Sequence, residues 1–197
     1  MNLHVRSTKK MTVEEFLDWA DARRAQRSAA IQSDEPKWEL FDGVPHMQAN
    51  ELWLHGRVKY RVMRTIEDAL LKSGLPFVAG LDSIGVRIDT HASFQPDIVV
   101  FPADSIDDLD RFAPAPLIVV EVLSPSTRDE DLTTKVTGYG RVMSIQHYLV
   151  VDPGPQSVLH FHRCAAGLVR PPAPVAAATL RLDPPGIEIE LARLFGK

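Results

Sequence analysis

The sequence contains a single cysteine, Cys164, among 197 residues. An intramolecular disulfide is therefore impossible, nothing resembles a zinc cluster, and a reducing, cytoplasmic location is expected. The net charge of −4 argues against a broad basic surface, so any contact with nucleic acid must come from a local patch. No apolar run reaches transmembrane length and no apolar segment follows Lys9 and Lys10, so we expect neither a membrane span nor a signal peptide.

The length and composition are those of an ordinary globular protein. Hydrophobic residues make up 45% of the chain and charged residues 24%. A chain of this length can bury a core of its own, and no repeat or convincing boundary divides it, so we expect a single domain over residues 1–197. Residues 171–178 are rich in proline and alanine and are expected to form a surface loop.

Local patterns predict an α/β (α+β) fold with a mixed central sheet flanked by helices, preceded by an N-terminal helix and a β-hairpin. Thr12 and Glu15 have the spacing of a capping box and predict a helix to about residue 27. Asp42-Gly43 predicts a hairpin turn between strands at 38–41 and 44–48. Further helices are predicted at 51–72, about 127–143 and 191–195, and strands at 77–79, 84–88, 97–101, 117–121, 147–151, 158–162 and 186–190, with a turn joining the strands at 77–79 and 84–88.

Two carboxylates lie at the ends of apolar β-branched runs. Asp97 precedes Ile98-Val99-Val100-Phe101, and Glu121 follows Leu117-Ile118-Val119-Val120. An ionised carboxylate in a buried strand is costly unless a cation, a proton or hydrogen-bond donors stabilise it. Two neighbouring carboxylates also repel each other, and a divalent ion removes that repulsion. The pair therefore predicts a metal site, and Mg²⁺ suits it because this ion needs only one or two carboxylates besides water.

The helix that follows Glu121 supplies further candidates. Asp131, Lys135 and Tyr139 are spaced four residues apart and share one face. Lys135 is a candidate catalytic residue that would orient or activate the attacking water, or stabilise developing negative charge. Glu39 on the hairpin and His55 on the long helix are possible members of the same pocket.

Structural explanations remain open for each of these residues. Asp97 could cap a strand or accept backbone hydrogen bonds, Glu39 could be a solvated hairpin residue, and His55 could cap or pack within the long helix. Glu121 and Lys135 could form a buried ion pair and nothing more, or Lys135 could pair with Asp131 on an exposed helix face. Tyr139 could serve packing or hydrogen bonding. His160 and His162 alternate along one strand without an evident third ligand, so we expect surface residues. The basic residues of the long helix are expected to be solvated, although some could contact phosphates; they are Arg57, Lys59, Arg61, Arg64 and Lys72.

Taken together, several segments resemble the Uma family of candidate restriction endonucleases, which is similar to the PD-(D/E)XK nuclease superfamily. The resemblance covers roughly residues 12–163 and leaves 164–197 as a C-terminal extension. It is carried by the segments 38–43, 96–100, 121–127 and 147–153, together with His55, Asp131, Lys135 and Tyr139. It implies a restriction-endonuclease-like fold, metal-dependent cleavage of a nucleic-acid backbone, and Asp97 and Glu121 as metal ligands.

The sequence departs from the superfamily at Leu123, where the pattern has a lysine. Lys135 on the next helix could supply the amine instead. The resulting hypothesis is an Mg²⁺-dependent endonuclease acting on DNA, in which Mn²⁺ could substitute for Mg²⁺. A homodimer would suit a nuclease that cuts both strands. The alternative is a catalytically inactive, nuclease-like module that binds nucleic acid or a protein, and a third possibility is a hydrolase of smaller phosphoesters.

Overall fold

The computed structural model describes residues 10–28, 37–48, 52–124, 132–169 and 173–196. The chain forms two compact units, one of Met1–Ala49 with Arg87–Phe94 and the other of Asn50–Val86 with Gln95–Lys197. The expected single domain, with a core at 12–163 and an extension at 164–197, stays a prediction, because compactness does not test independent folding.

The first unit contains helix α1 (Val13–Ser28) and a four-stranded sheet in the order β2-β1-β5-β4. Its strands are β1 (Trp38–Phe41), β2 (Val44–Met47), β4 (Val86–Asp89) and β5 (Ala92–Phe94). The predicted capping box is present: the Glu15 amide donates to Thr12 Oγ1 at 3.2 Å, and the Thr12 amide donates to Glu15 Oε2 at 3.0 Å. The predicted hairpin is also confirmed, with positive φ angles of 46° at Asp42 and 77° at Gly43.

The second unit is built on a six-stranded sheet in the order β10-β9-β8-β7-β6-β3. Its strands are β3 (Phe77–Leu81), β6 (Ile98–Pro102), β7 (Ile118–Val122), β8 (His147–Asp152), β9 (Ser157–Cys164) and β10 (Gly167–Val169). Only β7 and β8 run parallel among the pairs of this sheet. A separate hairpin pairs β11 (Thr179–Leu182) with β12 (Ile187–Glu190).

The helices of the second unit cover this sheet. Within the described residues they are α2 (Trp53–Ser73), α3 (Thr134–Arg141) and α4 (Leu191–Phe195). One sheet face joins the apolar side of α2, the β11–β12 hairpin and Leu194 of α4 in a continuous core. Because side chains alternate along a strand, the opposite face of β7 and β8 carries Glu121 and Tyr148, and α3 packs there through Tyr139, whose ring centroid lies 5.0 Å from that of Tyr148.

The mixed sheet flanked by helices confirms the predicted fold class. The predicted turn is present at Asp82 and Ser83, but the strands that it joins do not pair with each other, because β3 pairs with β6 whereas β4 belongs to the four-stranded sheet. Strands β5, β10 and β11 were not predicted, since each has only three or four residues. The predicted helix start at Thr127 lies outside the described residues. None of the described helices is long and apolar enough to cross a membrane.

Candidate active site

Glu121 is held by two donors from a single helix. Its side chain is buried near the end of β7, and its Oε1 accepts hydrogen bonds from Lys135 Nζ at 2.9 Å and from Tyr139 Oη at 2.8 Å. Lys135 and Tyr139 lie one turn apart on α3 and are themselves buried. Spacing by four residues puts both side chains on one face of α3, as predicted, and the tertiary structure brings that face to one carboxylate.

Asp97 immediately precedes β6 and is 6% exposed. Its Oδ2 accepts a hydrogen bond from the Val122 amide at 2.6 Å, so the side chain ties β6 to β7. Its Oδ1 lies 2.6 Å from Lys59 Nζ, and its Oδ2 lies 3.7 Å from His55 Nε2. The same His55 nitrogen donates to the Val122 carbonyl, which can only accept, and this fixes the proton on Nε2.

The prediction for Lys59 was wrong. This lysine was expected to be solvated, yet it is 2% exposed and bridges Asp97 and Asp82, whose Oδ1 lies 2.8 Å from its Nζ. Asp82 occupies a left-handed backbone conformation with φ of 53°. The Asp82 amide donates to the Asp97 carbonyl at 3.0 Å, and Gln95 Nε2 donates to the Asp82 carbonyl at 2.5 Å, so this loop is fastened beside Asp97.

A usable signal for Lys59 was present in the sequence. Lys59 lies beside Val58, Val62 and Ile66, which form the apolar side of α2. It also follows His55 by four residues, so these two side chains share a face of the helix. A lysine on the apolar side of a helix must either bring its charge to the surface or find a carboxylate. Asp82 gave no comparable signal, because a single aspartate in a turn is ordinary and its approach to Lys59 is a tertiary effect.

The strand register brings the two predicted carboxylate positions together. Ile98 is paired with Val120 in the antiparallel β6–β7 ladder, so the next pair along the ladder is Asp97 opposite Glu121. Directly opposite residues share a sheet face and have neighbouring Cβ atoms. Lys59 approaches this end of the sheet from α2 and Lys135 from α3, so each carboxylate receives one buried ammonium group.

A known protein family matches most of the chain. The family model described as "Uma2: Putative restriction endonuclease" matches residues 13–192. The chain belongs to this family. No curated protein matches the chain.

A solved structure has the same fold. It is described as a "putative nuclease belonging to DUF820 from Anabaena variabilis ATCC 29413" and is 18% identical in sequence. The match has a TM-score of 0.69 and covers 94% of this chain and 97% of the other. At this identity the likeness shows the fold alone.

The remaining predicted site residues of this Uma2 family chain have different placements. His55 and Tyr139 reach Asp97 and Glu121 respectively, as described above. Glu39 is 2% exposed in β1 of the first unit, and its place in the pocket stays a prediction. Asp131 lies outside the described residues. Leu123, at the position of the expected strand lysine, is buried.

The donor set suits a hard divalent cation. Asp97 and Glu121 supply carboxylate oxygens, which Mg²⁺ prefers, and this ion usually keeps several waters besides one or two carboxylates. Among the described residues, no three His, Cys, Asp or Glu side chains are arranged to hold a metal ion. With the ionisable side chains in their usual states, three carboxylates (Asp82, Asp97, Glu121) face two ammonium groups (Lys59, Lys135), which leaves a formal charge of −1.

One of the two β9 histidines, His160, differs from the prediction. His160 is half-buried, and its Nε2 lies 2.9 Å from His147 Nδ1. His147 Nε2 lies 2.9 Å from the Pro184 carbonyl, so His147 carries its proton on Nε2 and His160 must donate to it. Burial lowers the pKa of His160 to about 4, with His147 and His162 adding repulsion. His160 is therefore a neutral structural group, whereas His162 is exposed as expected.

Proposed function

We propose that this Uma2 family chain is an Mg²⁺-dependent endonuclease that hydrolyses phosphodiester bonds, with DNA as its substrate. One observation carries the proposal: two buried carboxylates occupy opposing positions where β6 and β7 meet, and each is held by a buried lysine. Asp97 and Glu121 would hold the ion. When bound, the ion would supply an activated water and positive charge beside the reacting phosphate.

The protein itself would contribute positioning and charge. Glu121 cannot rotate freely, because Lys135 and Tyr139 both hold Oε1. Asp97 is fixed by the Val122 amide and by Lys59. Carboxylates fixed in this way need little reorganisation to receive a ligand, and such preorganisation is a main source of catalytic power.

The role of Lys135 follows from its charge state. Paired with Glu121 at 2.9 Å, it is the ammonium form, which donates hydrogen bonds and accepts none. It therefore cannot remove a proton from water while the pair is intact. We assign it to orienting the attacking water or stabilising negative charge that develops on the phosphate oxygens.

The test is cleavage of supercoiled plasmid in Mg²⁺ or Mn²⁺ by the wild type and by Asp97→Asn and Glu121→Gln. Both substitutions keep the shape of the side chain and remove its charge. We expect each to reduce the cleavage rate by at least 100-fold, on the order of the loss from removing one charge-stabilising group. The exposed carboxylate of Asp108 provides the matched control, Asp108→Asn, which should cleave like the wild type. Cleavage that survives in a folded Asp97→Asn protein would exclude this site.

A second candidate function is a nuclease-like module that binds without cutting. Two observations favour this binding module. Leu123 stands in place of the strand lysine, and both carboxylates are already paired with lysines. Calorimetric titration with Mn²⁺ separates the two functions. Binding that Glu121→Gln abolishes supports the nuclease, whereas no binding by the wild type supports the module. Assaying generic phosphodiesters beside DNA would reveal a hydrolase of smaller substrates.

The proposal also includes a cytoplasmic location and a homodimer. The single exposed Cys164 suits a reducing compartment. A two-fold pair would place two sites against the two strands of a duplex. Sedimentation velocity in the presence and absence of a DNA duplex would detect the dimer.

A further inference from the structure

Helix α2 carries a second pattern on the side that faces away from the core. Trp53, Arg57, Tyr60 and Arg64 are all exposed, with Trp53 81% and Tyr60 58% exposed. Their spacing of four, three and four residues keeps them within about 60° of the helix circumference. The four side chains form one stripe that alternates aromatic and guanidinium groups over about 16 Å of helix. We call it the α2 stripe.

The charges within the α2 stripe have one sign, and the acidic Glu67 and Asp68 follow just beyond it. No acidic residue occurs between Trp53 and Ile66, although the whole chain carries a net charge of −4. Within the described residues, neither Arg57 nor Arg64 takes part in an ion pair. The stripe is therefore a local basic patch of the kind that an acidic chain needs to bind a polyanion.

The first turn of α2 lacks the features that stabilise the start of a helix. The N-cap residue Leu52 makes no side-chain capping bond, and the first turn has no acidic residue. Basic residues near the N-terminus also oppose the helix dipole. Exposed tryptophan and tyrosine add nothing to the core that the inner side of α2 forms with the sheet. The stability of the fold therefore does not account for these residues.

We propose that the α2 stripe binds single-stranded nucleic acid. Aromatic faces stack on bases, which are accessible only where the strand is unpaired, and guanidinium groups contact the phosphates between them. The first two turns of α2 place this stripe outside and His55 and Lys59 inside, toward Asp97. The stripe would thus hold a strand on the outer side of the same helix whose inner side supports Asp97. The inference rests on the proposed function and narrows its substrate to single-stranded segments.

The test is fluorescence anisotropy of a labelled 20-nucleotide oligothymidine, with a duplex of equal length as comparison, in EDTA so that no metal-dependent cleavage occurs. We expect the wild type to bind the single strand more tightly than the duplex. Each stacked base is worth about 5- to 150-fold in affinity, so Trp53→Ala combined with Tyr60→Ala should raise the Kd by at least 10-fold. Trp53→Phe with Tyr60→Phe should restore most of the affinity, because phenylalanine also stacks.

A second variant separates the phosphate contacts from stacking. Arg57→Gln combined with Arg64→Gln should lower the slope of log Kd against log salt concentration by about 1.4, at about 0.7 per phosphate contact. Leu71→Ala is the matched control, because Leu71 is 80% exposed on the same side of α2 but lies beyond the stripe. Its Kd should stay within twofold of the wild type. Circular dichroism must show that every variant keeps the wild-type helix content.

The outcomes distinguish this inference from the proposed function. Asp97→Asn should abolish cleavage and leave oligothymidine binding intact, so that loss of one does not imply loss of the other. Equal affinity for duplex, or an unchanged Kd in the Trp53→Ala, Tyr60→Ala protein, would overturn the inference. The inference would also be overturned if the Trp53→Ala, Tyr60→Ala protein became a monomer in sedimentation velocity while its Kd stayed unchanged. The stripe would then contact a second copy of the chain.

Discussion

Replacing Lys59 by methionine should destabilise the protein by leaving Asp97 buried without its closest cation. Removing one partner of a buried ion pair costs about 3–5 kcal/mol. Asp97 would keep the Val122 amide and the more distant His55, so we expect the lower end, about 3 kcal/mol. For a chain of this size that loss lowers Tm by about 6–12 °C.

The combined variant Lys59→Met, Asp97→Asn sharpens this prediction. Neutralising both partners removes the uncompensated charge, so most of the lost stability should return. We expect a coupling free energy of about 2 kcal/mol between the two positions, within the range seen for contacting residues. Urea unfolding in EDTA, followed by circular dichroism and fluorescence, measures the four proteins of the cycle.

A matched control is available on the same helix. Lys72 is exposed near the end of α2, so Lys72→Met should change the free energy of unfolding by less than about 0.5 kcal/mol. Two results would refute the reasoning: Lys59→Met as stable as the wild type, or a double variant whose loss equals the sum of the single losses. Either would mean that Lys59 does not compensate the charge of Asp97.

Three further predictions concern other groups. Tyr139→Phe removes a hydrogen bond to the Glu121 carboxylate and should cost about 1.5 kcal/mol in the same urea assay; an unchanged midpoint would mean that the hydroxyl is dispensable. Thr12→Ala removes the capping box of α1 and should cost about 1 kcal/mol, with faster amide exchange in the first turn, whereas unchanged exchange would contradict the capping role. His160 is neutral in the folded state because its pKa is lowered to about 4. The unfolded state therefore binds more protons below about pH 6.5, and the free energy of unfolding should decrease as the pH is lowered from about 6.5 to about 4. The loss should be about 1–2 kcal/mol after discounting for partial exposure, and His160→Gln should lack this part of the pH dependence of Tm.

The local features of the fold were readable from the sequence because short-range chemistry determines them. Thr12 and Glu15 form the predicted box, and Asp42-Gly43 forms the predicted turn. The pairing of the strands within the sheets was harder to predict from the sequence. The runs at 77–79 and 84–88 are close in sequence, which favours a hairpin, but their pairing depends on long-range contacts that no local pattern encodes.

The candidate site also combines residues that the local sequence identified with one that it did not. Asp97 and Glu121 were recognisable because a carboxylate at the end of an apolar strand is unusual. The shared helix face of Lys135 and Tyr139 followed from helical spacing, whereas their contact with Glu121 depends on the tertiary structure. Lys59 was missed because a lysine on a helix that also carries arginines is most simply explained by solvation, and only the tertiary structure brings it to Asp97.

The most direct test of the central claim is a crystal structure of the protein soaked in Mn²⁺, with anomalous scattering used to locate the ion. We expect one strong peak in contact with both the Asp97 and the Glu121 carboxylates, and its absence from crystals of Glu121→Gln. An ion bound elsewhere, or the absence of any peak while the Lys59–Asp97 and Lys135–Glu121 pairs stay intact, would contradict a metal site at these two carboxylates.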